Sequence, residues 1–313
     1  MSGTKPERKV GKVVWWNGKL VAPEQATTSV FTHTLHYGLG AFEGVRCYKT
    51  ADGRLAIFRL KEHTKRLFDS CKILELKIPF SQEDVMQAQL ETVRKSGLEQ
   101  DIYIRPLVYI GDGPLGVFPT FDPPVELAIM TWVWGAYLGK EAKENGARIK
   151  VSSFTRGWVN STMTKAKMTG GYTTGILAKL EVKRSGYDEA LLLDTDGYVA
   201  EGSGENIFMY RNGVLKTTPL TSILDGITRS SIITIARDLG IPVEEQRFTR
   251  DEIYCADEVF FCGTAAEITP IREIDNRQIG EGKPGPITRK ISTKLMDTVY
   301  GRDPQYKHWL TYL

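Results

Sequence analysis

The sequence predicts an α+β fold of two domains, each sheet-centred with packed helices, and three observations carry that prediction. Strand-like runs come in hairpins, joined at Asn17-Gly18, Asp52-Gly53 and Asp196-Gly197, dipeptides that tolerate positive φ. Helical periodicity falls between groups of strands instead of after each one, which argues against a regular βα alternation. At 313 residues, 41% of them hydrophobic, the chain also exceeds the roughly 250–300 residues at which single cores stop growing.

The elements follow in order. Residues 12–16 read as a strand that turns at Asn17-Gly18 into a second one ending near Val21. Residues 44–48 and 55–58 make another pair, and apolar residues recur at helical spacing over 60–74. Ser81-Gln-Glu-Asp84 is a capping box that opens a second helix, which Gly97 closes. Long strands over 101–110 and 125–134 complete a first domain, 1–131. Gly135, Gly139 and the charged stretch 140–146 break the pattern, so an interdomain loop is expected at 132–144 and a larger domain over 145–313. That domain opens on a strand at 147–154, followed by a helix at 171–185 capped by Gly186 and a hairpin of 189–194 with 198–201. Strands at 206–210 and 214–217 come next, then a helix over 228–239 ended by Gly240. The capping pattern Thr249-Arg-Asp-Glu252 starts a short helix, and 286–299 forms the last. The first ten residues are expected to be mobile.

Composition narrows the function. A formal charge of +3 with no long Lys/Arg block speaks against nucleic acid or an anionic membrane as the main partner, and leaves small anionic substrates open. No apolar run approaches the roughly 18–20 residues of a membrane span, and the N-terminus lacks a signal-peptide core, so a cytoplasmic protein is expected. Cys47, Cys71, Cys255 and Cys262 are scattered, with no Cys-x-x-Cys pair; they read as reduced packing residues, with no metal site.

The chemistry gathers in a few short runs. Lys165-Ala-Lys167-Met-Thr-Gly-Gly-Tyr172 places a lysine before small residues that leave room for a flat ring against the backbone. A lysine ε-amine can form a Schiff base with pyridoxal phosphate, which also needs a charged partner at its ring nitrogen and a cradle for its phosphate. Lys165 competes with Lys167 for that part. Ala200-Glu201-Gly-Ser-Gly-Glu205-Asn206 ends a strand on a Gly-x-Gly turn at Glu201. Pointing inward, Glu201 keeps a ring nitrogen protonated, because a nearby opposite charge favours the charged form; the plain alternative is an exposed hairpin acid. Gly226-Ile227-Thr228-Arg229 opens an apolar helix, whose first amides and dipole suit a phosphate, and a simple Thr228 cap is the competing reading. Gly263-Thr264-Ala265-Ala266-Glu267 follows an apolar strand and brings small residues with exposed amides to one point. Arg59, after Phe58 at a strand end, either adds a permanent charge for phosphate or is an ordinary surface arginine.

One apparent motif is rejected. Gly111-Asp-Gly113-Pro-Leu-Gly116 matches Gly-x-Gly-x-x-Gly, yet Pro114, Pro119, Pro123 and Pro124 prevent the helix that would hold a pyrophosphate. It reads instead as a rigid loop that lines a pocket through Leu115 and Val117.

Together with these runs, Tyr37-Gly-Leu-Gly-Ala-Phe42-Glu-Gly44-Val-Arg, Phe58-Arg59-Leu-Lys-Glu-His63, Tyr103-Ile-Arg105-Pro, Trp134-Gly-Ala-Tyr137 and Gly263-Thr-Ala-Ala-Glu-Ile-Thr-Pro270 resemble the branched-chain amino acid aminotransferases of the fold-type IV pyridoxal phosphate enzymes. The resemblance covers nearly the whole chain. It implies that Lys167, not Lys165, bonds the cofactor, that Glu201 partners the pyridine nitrogen and that Tyr172 partners the ring hydroxyl. Arg59, the Ile227 and Thr228 amides with the Thr228 hydroxyl, and Thr264 are the implied phosphate ligands.

The same resemblance implies ping-pong transamination between Leu, Ile or Val and 2-oxoglutarate. Tyr103 with the amides of Thr264 and Ala265 would hold the α-carboxylate, while Tyr37, Phe42, Val117, Trp134, Tyr137 and Tyr172 surround an aliphatic side chain, with Gly44 counted among the substrate-binding residues. Arg105, with hydroxyls such as Tyr37 and Tyr137, would take the distal carboxylate of glutamate. Some of these residues come from a neighbouring subunit in the family, so at least a homodimer with shared active sites is implied. Thr169, where many relatives have glycine, leaves aromatic substrates open. A D-amino acid aminotransferase, an (R)-selective amine transaminase and an aminodeoxychorismate lyase share the fold, but Tyr103-Ile-Arg105 with Trp134-Gly-Ala-Tyr137 favours the branched-chain reading. A non-catalytic pyridoxal-binding module is the alternative of another class, opposed by the joint presence of lysine, acid and phosphate cradle.

Overall fold

A computed structural model describes residues 9–118, 122–135 and 137–313. The chain is α+β, and its two sheets lie in two compact units, Met1–Gly135 with Val299–Leu313, and Ala136–Thr298.

The first unit contains β1 (Val14–Trp16), β2 (Lys19–Val21), α1 (His33–Tyr37), β3 (Gly40–Phe42), β4 (Val45–Lys49), β5 (Leu55–Phe58), α2 (Leu60–Ile73), α3 (Gln82–Lys95), β6 (Ile102–Ile110) and β7 (Val125–Val133). Its antiparallel sheet runs from the C-terminal strand Leu310–Tyr312 through β5, β4, β6, β7 and β1 to β2, with β3 paired to β6. Asn17 and Gly18 both take positive φ, 48° and 91°, as a tight hairpin requires. Ser81 and Asp84 form the reciprocal capping box at the start of α3. Leu60, Leu67 and Cys71 of α2 and Val85, Ala88 and Val93 of α3 bury their faces with Val45, Ile57, Ile104 and Leu127 of the sheet. Each such large side chain contributes about 1.5–3 kcal/mol when taken fully out of water.

The second unit contains α4 (Lys140–Asn145), β8 (Ala147–Thr155), α5 (Val159–Thr162), α6 (Thr173–Arg184), β9 (Glu189–Leu193), β10 (Val199–Gly202), β11 (Asn206–Arg211), β12 (Val214–Thr217), α7 (Ile227–Asp238), β13 (Val243–Glu245), α8 (Arg250–Tyr254), β14 (Glu258–Gly263), β15 (Glu267–Ile274), β16 (Arg277–Gln278) and α9 (Pro286–Val299). Its sheet runs β10, β9, β8, β15, β14, β11, β12, β13, with β16 on β15. β8 pairs in parallel with both β9 and β15, and α6 is the crossover that carries the chain from β8 to its parallel neighbour β9. Ala178 and Val182 of α6 pack on Ala190 and Leu192 of β9, while the alternating Leu191 joins a second core with Ile149, Ile207 and Phe261.

The structure departs from the expected division in three places. Val299–Leu313 groups with the first unit, because Leu310–Tyr312 pairs with β5. The expected interdomain loop at 132–144 holds the end of β7 and the start of α4. Lys9 and Val10, expected to be mobile, bond to β7; residues 1–8 lie outside the described residues. Residues 111–118 form an irregular loop with no helix; Pro119 lies outside the described residues. Cys47, Cys71 and Cys262 are buried and Cys255 is exposed, all as free thiols. Among the described residues no helix is long and apolar enough to cross a membrane, and no cluster of His, Cys, Asp or Glu is arranged to hold a metal.

Candidate active site

In the second unit, local backbone choices gather Lys167, Tyr172 and Glu201. Lys167 follows a turn, and a 3₁₀ turn at Gly170–Tyr172 precedes α6, so Tyr172 folds back until its hydroxyl lies 2.5 Å from Lys167 Nζ. Lys165 takes a different partner, donating from Nζ to Ile223 O at 3.0 Å. Burial pushes the Lys165 ammonium down, against the charges of Asp225 and Glu201.

Glu201 lies on β10, where the pairing with β9 shifts between Val199 and Glu201. A bulge of this kind re-aims the side chains that follow it. Glu201 is only 6% exposed, which rules out the exposed hairpin acid. Its Oε1 forms an ion pair with Arg156 Nε at 2.6 Å, and its Oε2 accepts from Asn206 Nδ2 at 3.0 Å. Burial raises its pKa, with Arg156 opposing. Asn206 also donates to Leu224 O. It fits there because Gly226 has no side chain: a Cβ at that position would meet Asn206 Oδ1 at 1.9 Å.

The helix α7 starts on Gly226 with no side-chain cap, so the simple Thr228 cap does not occur; Thr228 is the second helical residue and is buried. The opening turn therefore keeps its amides for another acceptor. Arg229 pins that turn from within, donating to Thr218 O at 2.8 Å and Glu245 Oε2 at 2.7 Å. Thr264 and Ala265 occupy the turn between β14 and β15. Arg156 carries no signal of its own in the sequence, and Asn206, though it closes the run that begins at Ala200, has no role there until the buried Glu201 identifies both as its partners.

Tyr137 also belongs to the second unit, where its hydroxyl accepts from Lys179 at 3.2 Å.

In the first unit, Tyr103 and Arg105 alternate along β6 onto one face of the sheet. Trp132, cross-strand from Tyr103, and Trp134 pack on the Tyr103 ring at centroid distances of 4.8 and 4.6 Å. The Arg105 guanidinium lies 4.4 Å above Phe42 and donates to the Tyr103 hydroxyl at 3.3 Å, while its Nε is buried with no hydrogen-bond partner. A cation walled by rings, with a donor still to satisfy, suits a carboxylate. Gly44 makes this possible, because a Cβ there would come within 1.9 Å of the Tyr103 hydroxyl. Trp132 is the residue of this cage that sequence reasoning missed; its place opposite Tyr103 exists only in the strand register.

Arg59 is not a surface arginine. It starts α2 in the left-handed region, φ 53°, with Nε 2.7 Å from Glu62 Oε1 and its guanidinium 4.9 Å from the Trp309 ring. Tyr37 ends α1 half-exposed, its ring 4.6 Å from His33. Val117, expected to line a pocket, is 91% exposed.

The amino-transferase class IV model matches residues 40–274. The branched-chain-amino-acid aminotransferase of Pseudomonas aeruginosa is 49% identical over 299 residues, covering 96% of each chain. A crystal structure of the T.th. branched-chain amino acid aminotransferase with pyridoxamine 5'-phosphate is similar at a TM-score of 0.93 and 49% identity, over 96% of this chain and 98% of that one. The same enzyme complexed with N-(5'-phosphopyridoxyl)-L-glutamate is similar at a TM-score of 0.91 and 47% identity, with the same coverage. Since the matched segment carries Lys167, Glu201 and the start of α7, and the likeness extends over nearly the whole length, the chain belongs to the class IV aminotransferase family.

Proposed function

We propose that the protein is a pyridoxal-phosphate-dependent aminotransferase that exchanges amino groups between leucine, isoleucine or valine and 2-oxoglutarate. The observation that carries this reading is 49% identity over 96% of the chain to a branched-chain-amino-acid aminotransferase. The glutamate adduct bound by the T.th. enzyme supports glutamate as the second amino donor.

The donor set fits the cofactor. An amine and a phenol lie 2.5 Å apart, a buried carboxyl is held by Arg156 and Asn206, and a helix start is left without a side-chain cap. Lys167 would bond the cofactor, Glu201 and Tyr172 would hold its ring, and the Ile227 and Thr228 amides, Thr228 hydroxyl, Thr264 and Arg59 would hold its phosphate. When bound, pyridoxal phosphate supplies an aldehyde that receives the amino group and a conjugated ring that accepts the electron pair released at Cα.

The protein's own groups do the rest. Lys167 Nζ removes the proton at the substrate Cα in one half-reaction and returns one to Cα in the other. Tyr172 orients that amine. The Glu201 carboxylate keeps a proton on the ring nitrogen, and Arg156 opposes the rise that burial causes in the Glu201 pKa. Tyr103, with the Thr264 and Ala265 amides, binds the α-carboxylate, and Arg105 with Tyr37 and Tyr137 binds a distal carboxylate. Phe42, Gly44 and Trp134 shape the space for an aliphatic side chain, and Val117, exposed in a single chain, would join such a space only from a second copy.

A homo-oligomer is part of the proposal. Val30, Phe31 and Leu35 are exposed beside the exposed Leu115, Val117 and Phe118, and the His33 ring joins the two segments at 2.8 Å from Gly116 O. Apolar side chains gathered in this way mark a protein contact, and a second copy supplies it.

The test is an amino-donor panel against 2-oxoglutarate. Leucine, isoleucine and valine should each yield glutamate and a 2-oxo acid in equal amounts. Preference for a D-amino acid or an (R)-amine, or pyruvate release with no amino acceptor, would replace this reading with another activity of the fold.

A further inference from the structure

One buried ion pair has no part in the chemistry above. Lys179, on α6, has its Nζ 2.5 Å from Glu189 Oε2, and Glu189, the first residue of β9, is fully buried. The second Glu189 oxygen accepts from the Ala190 amide at 2.8 Å. The Lys179 ammonium also contacts Tyr137, 3.2 Å from its hydroxyl and 4.2 Å from its ring centroid. Lys179, Glu189 and Tyr137 all lie in the second unit.

The chemistry of these groups fixes the direction of the hydrogen bond. An ammonium has three hydrogens and no lone pair, so at Tyr137 it can only donate and the phenol oxygen must accept. The phenol's own hydrogen is therefore turned away from Lys179. The same ammonium bonds both Tyr137 and Glu189. Without the lysine, the charges of the buried Glu205 and Glu189, both felt at the phenol, would act on it unopposed and draw that hydrogen inward.

Resting on the aminotransferase reading and on Tyr137 as a substrate residue, we propose that the Lys179–Glu189 pair is a specificity device. It positions Tyr137 as a hydrogen-bond donor for the distal carboxylate of a dicarboxylate substrate. An aliphatic side chain takes nothing from such a donor, so the pair helps one pocket accept 2-oxoglutarate while leaving branched-chain substrates untouched. Burial, together with the charge of Glu205 and against that of Lys179, pushes the Tyr137 phenol up to about 12, so the hydrogen is present at any ordinary pH. Burial works against the Lys179 charge, but Glu189, Tyr137 and the buried Glu205 outweigh it and raise its pKa. A donor that itself accepts from a cation is also strengthened.

The test compares KM values for 2-oxoglutarate and leucine in the holoenzyme. Lys179→Gln combined with Glu189→Gln removes both charges of the pair together. It should raise the KM for 2-oxoglutarate about tenfold, equivalent to about 1.4 kcal/mol, while the KM for leucine stays within about twofold. Tyr137→Phe should do the same, and all three changes together should do no more than Tyr137→Phe alone. Lys179→Arg, which keeps the charge and the donors, should stay near the wild type. Equal rises in both KM values, additive effects, or a Tyr137→Phe enzyme with an unchanged KM for 2-oxoglutarate would overturn the proposal. A double variant that no longer holds cofactor, seen in its absorbance, would overturn a role confined to recognition. A wild-type enzyme inactive with leucine and 2-oxoglutarate would instead sink the aminotransferase reading itself.

Discussion

At Gly44 a single methyl group decides whether Tyr103 keeps its place. The Gly44→Ala side chain would meet the Tyr103 hydroxyl at 1.9 Å, so the ring must swing out and lose its contact with Arg105. Steady-state kinetics should show KM raised by about tenfold or more, over 1.4 kcal/mol, with the cofactor absorbance unchanged; wild-type KM would show that Tyr103 binds no substrate. Lys167→Ala should fold, hold cofactor weakly and lose turnover by at least the roughly 10²–10⁴-fold typical of a removed general base. Glu201→Gln should lower kcat more than it raises KM, and an unchanged turnover number would count against its role. The sequence was informative about residue types at this scale and silent about partners. It placed two lysines two residues apart without choosing between them, and only the fold gives Lys165 a backbone carbonyl and Lys167 a phenol.

At the scale of elements, the anchor of β3 and β4 to α2 is electrostatic. Glu43, between those strands and fully buried, bonds His63 Nδ1 at 2.7 Å and Arg66 Nε at 2.6 Å. Burial alone would raise its carboxyl, but Arg66 and His63 outweigh that and hold it well below the ordinary 4.5. With its folded value below the unfolded one, the stabilisation is complete above about pH 4.5 and is lost as the pH falls through the folded value. Glu43→Gln should destabilise by about 3–5 kcal/mol at neutral pH, the usual effect of breaking a buried pair. Denaturant unfolding should show that gap narrowing in strong acid, and a gap below about 1 kcal/mol at neutral pH would contradict the anchor. Elements bounded by local signals were legible: the Asn17-Gly18 hairpin, the Ser81 box and the glycines after α3, α6 and α7 all mark ends in the sequence itself. α1 and β3 were missed because they are short and depend on non-local contacts, such as the pairing of Ala41 with Val108. The bulge that turns Glu201 inward has no signature in composition or periodicity.

For the whole molecule, the α+β architecture followed from length and from hairpins, whereas the path of the C-terminus did not. No hairpin turn joins Leu310–Tyr312 to β5, because the two strands pair from opposite ends of the chain. The exposed Phe31, Leu35, Val117 and Phe118 bear on assembly, because a chain that leaves them uncovered would hold about 1.5–3 kcal/mol of unrealised burial at each large side chain. Sedimentation should give a mass of two chains or more, and Val117→Asp with Leu35→Asp should shift it toward one; a wild-type monomer at micromolar concentration would contradict the proposed oligomer. The catalytic account depends on one covalent attachment. Borohydride reduction of the holoenzyme, followed by digestion and mass spectrometry, should place the reduced cofactor on Lys167; a label on Lys165 or on any other residue would contradict it.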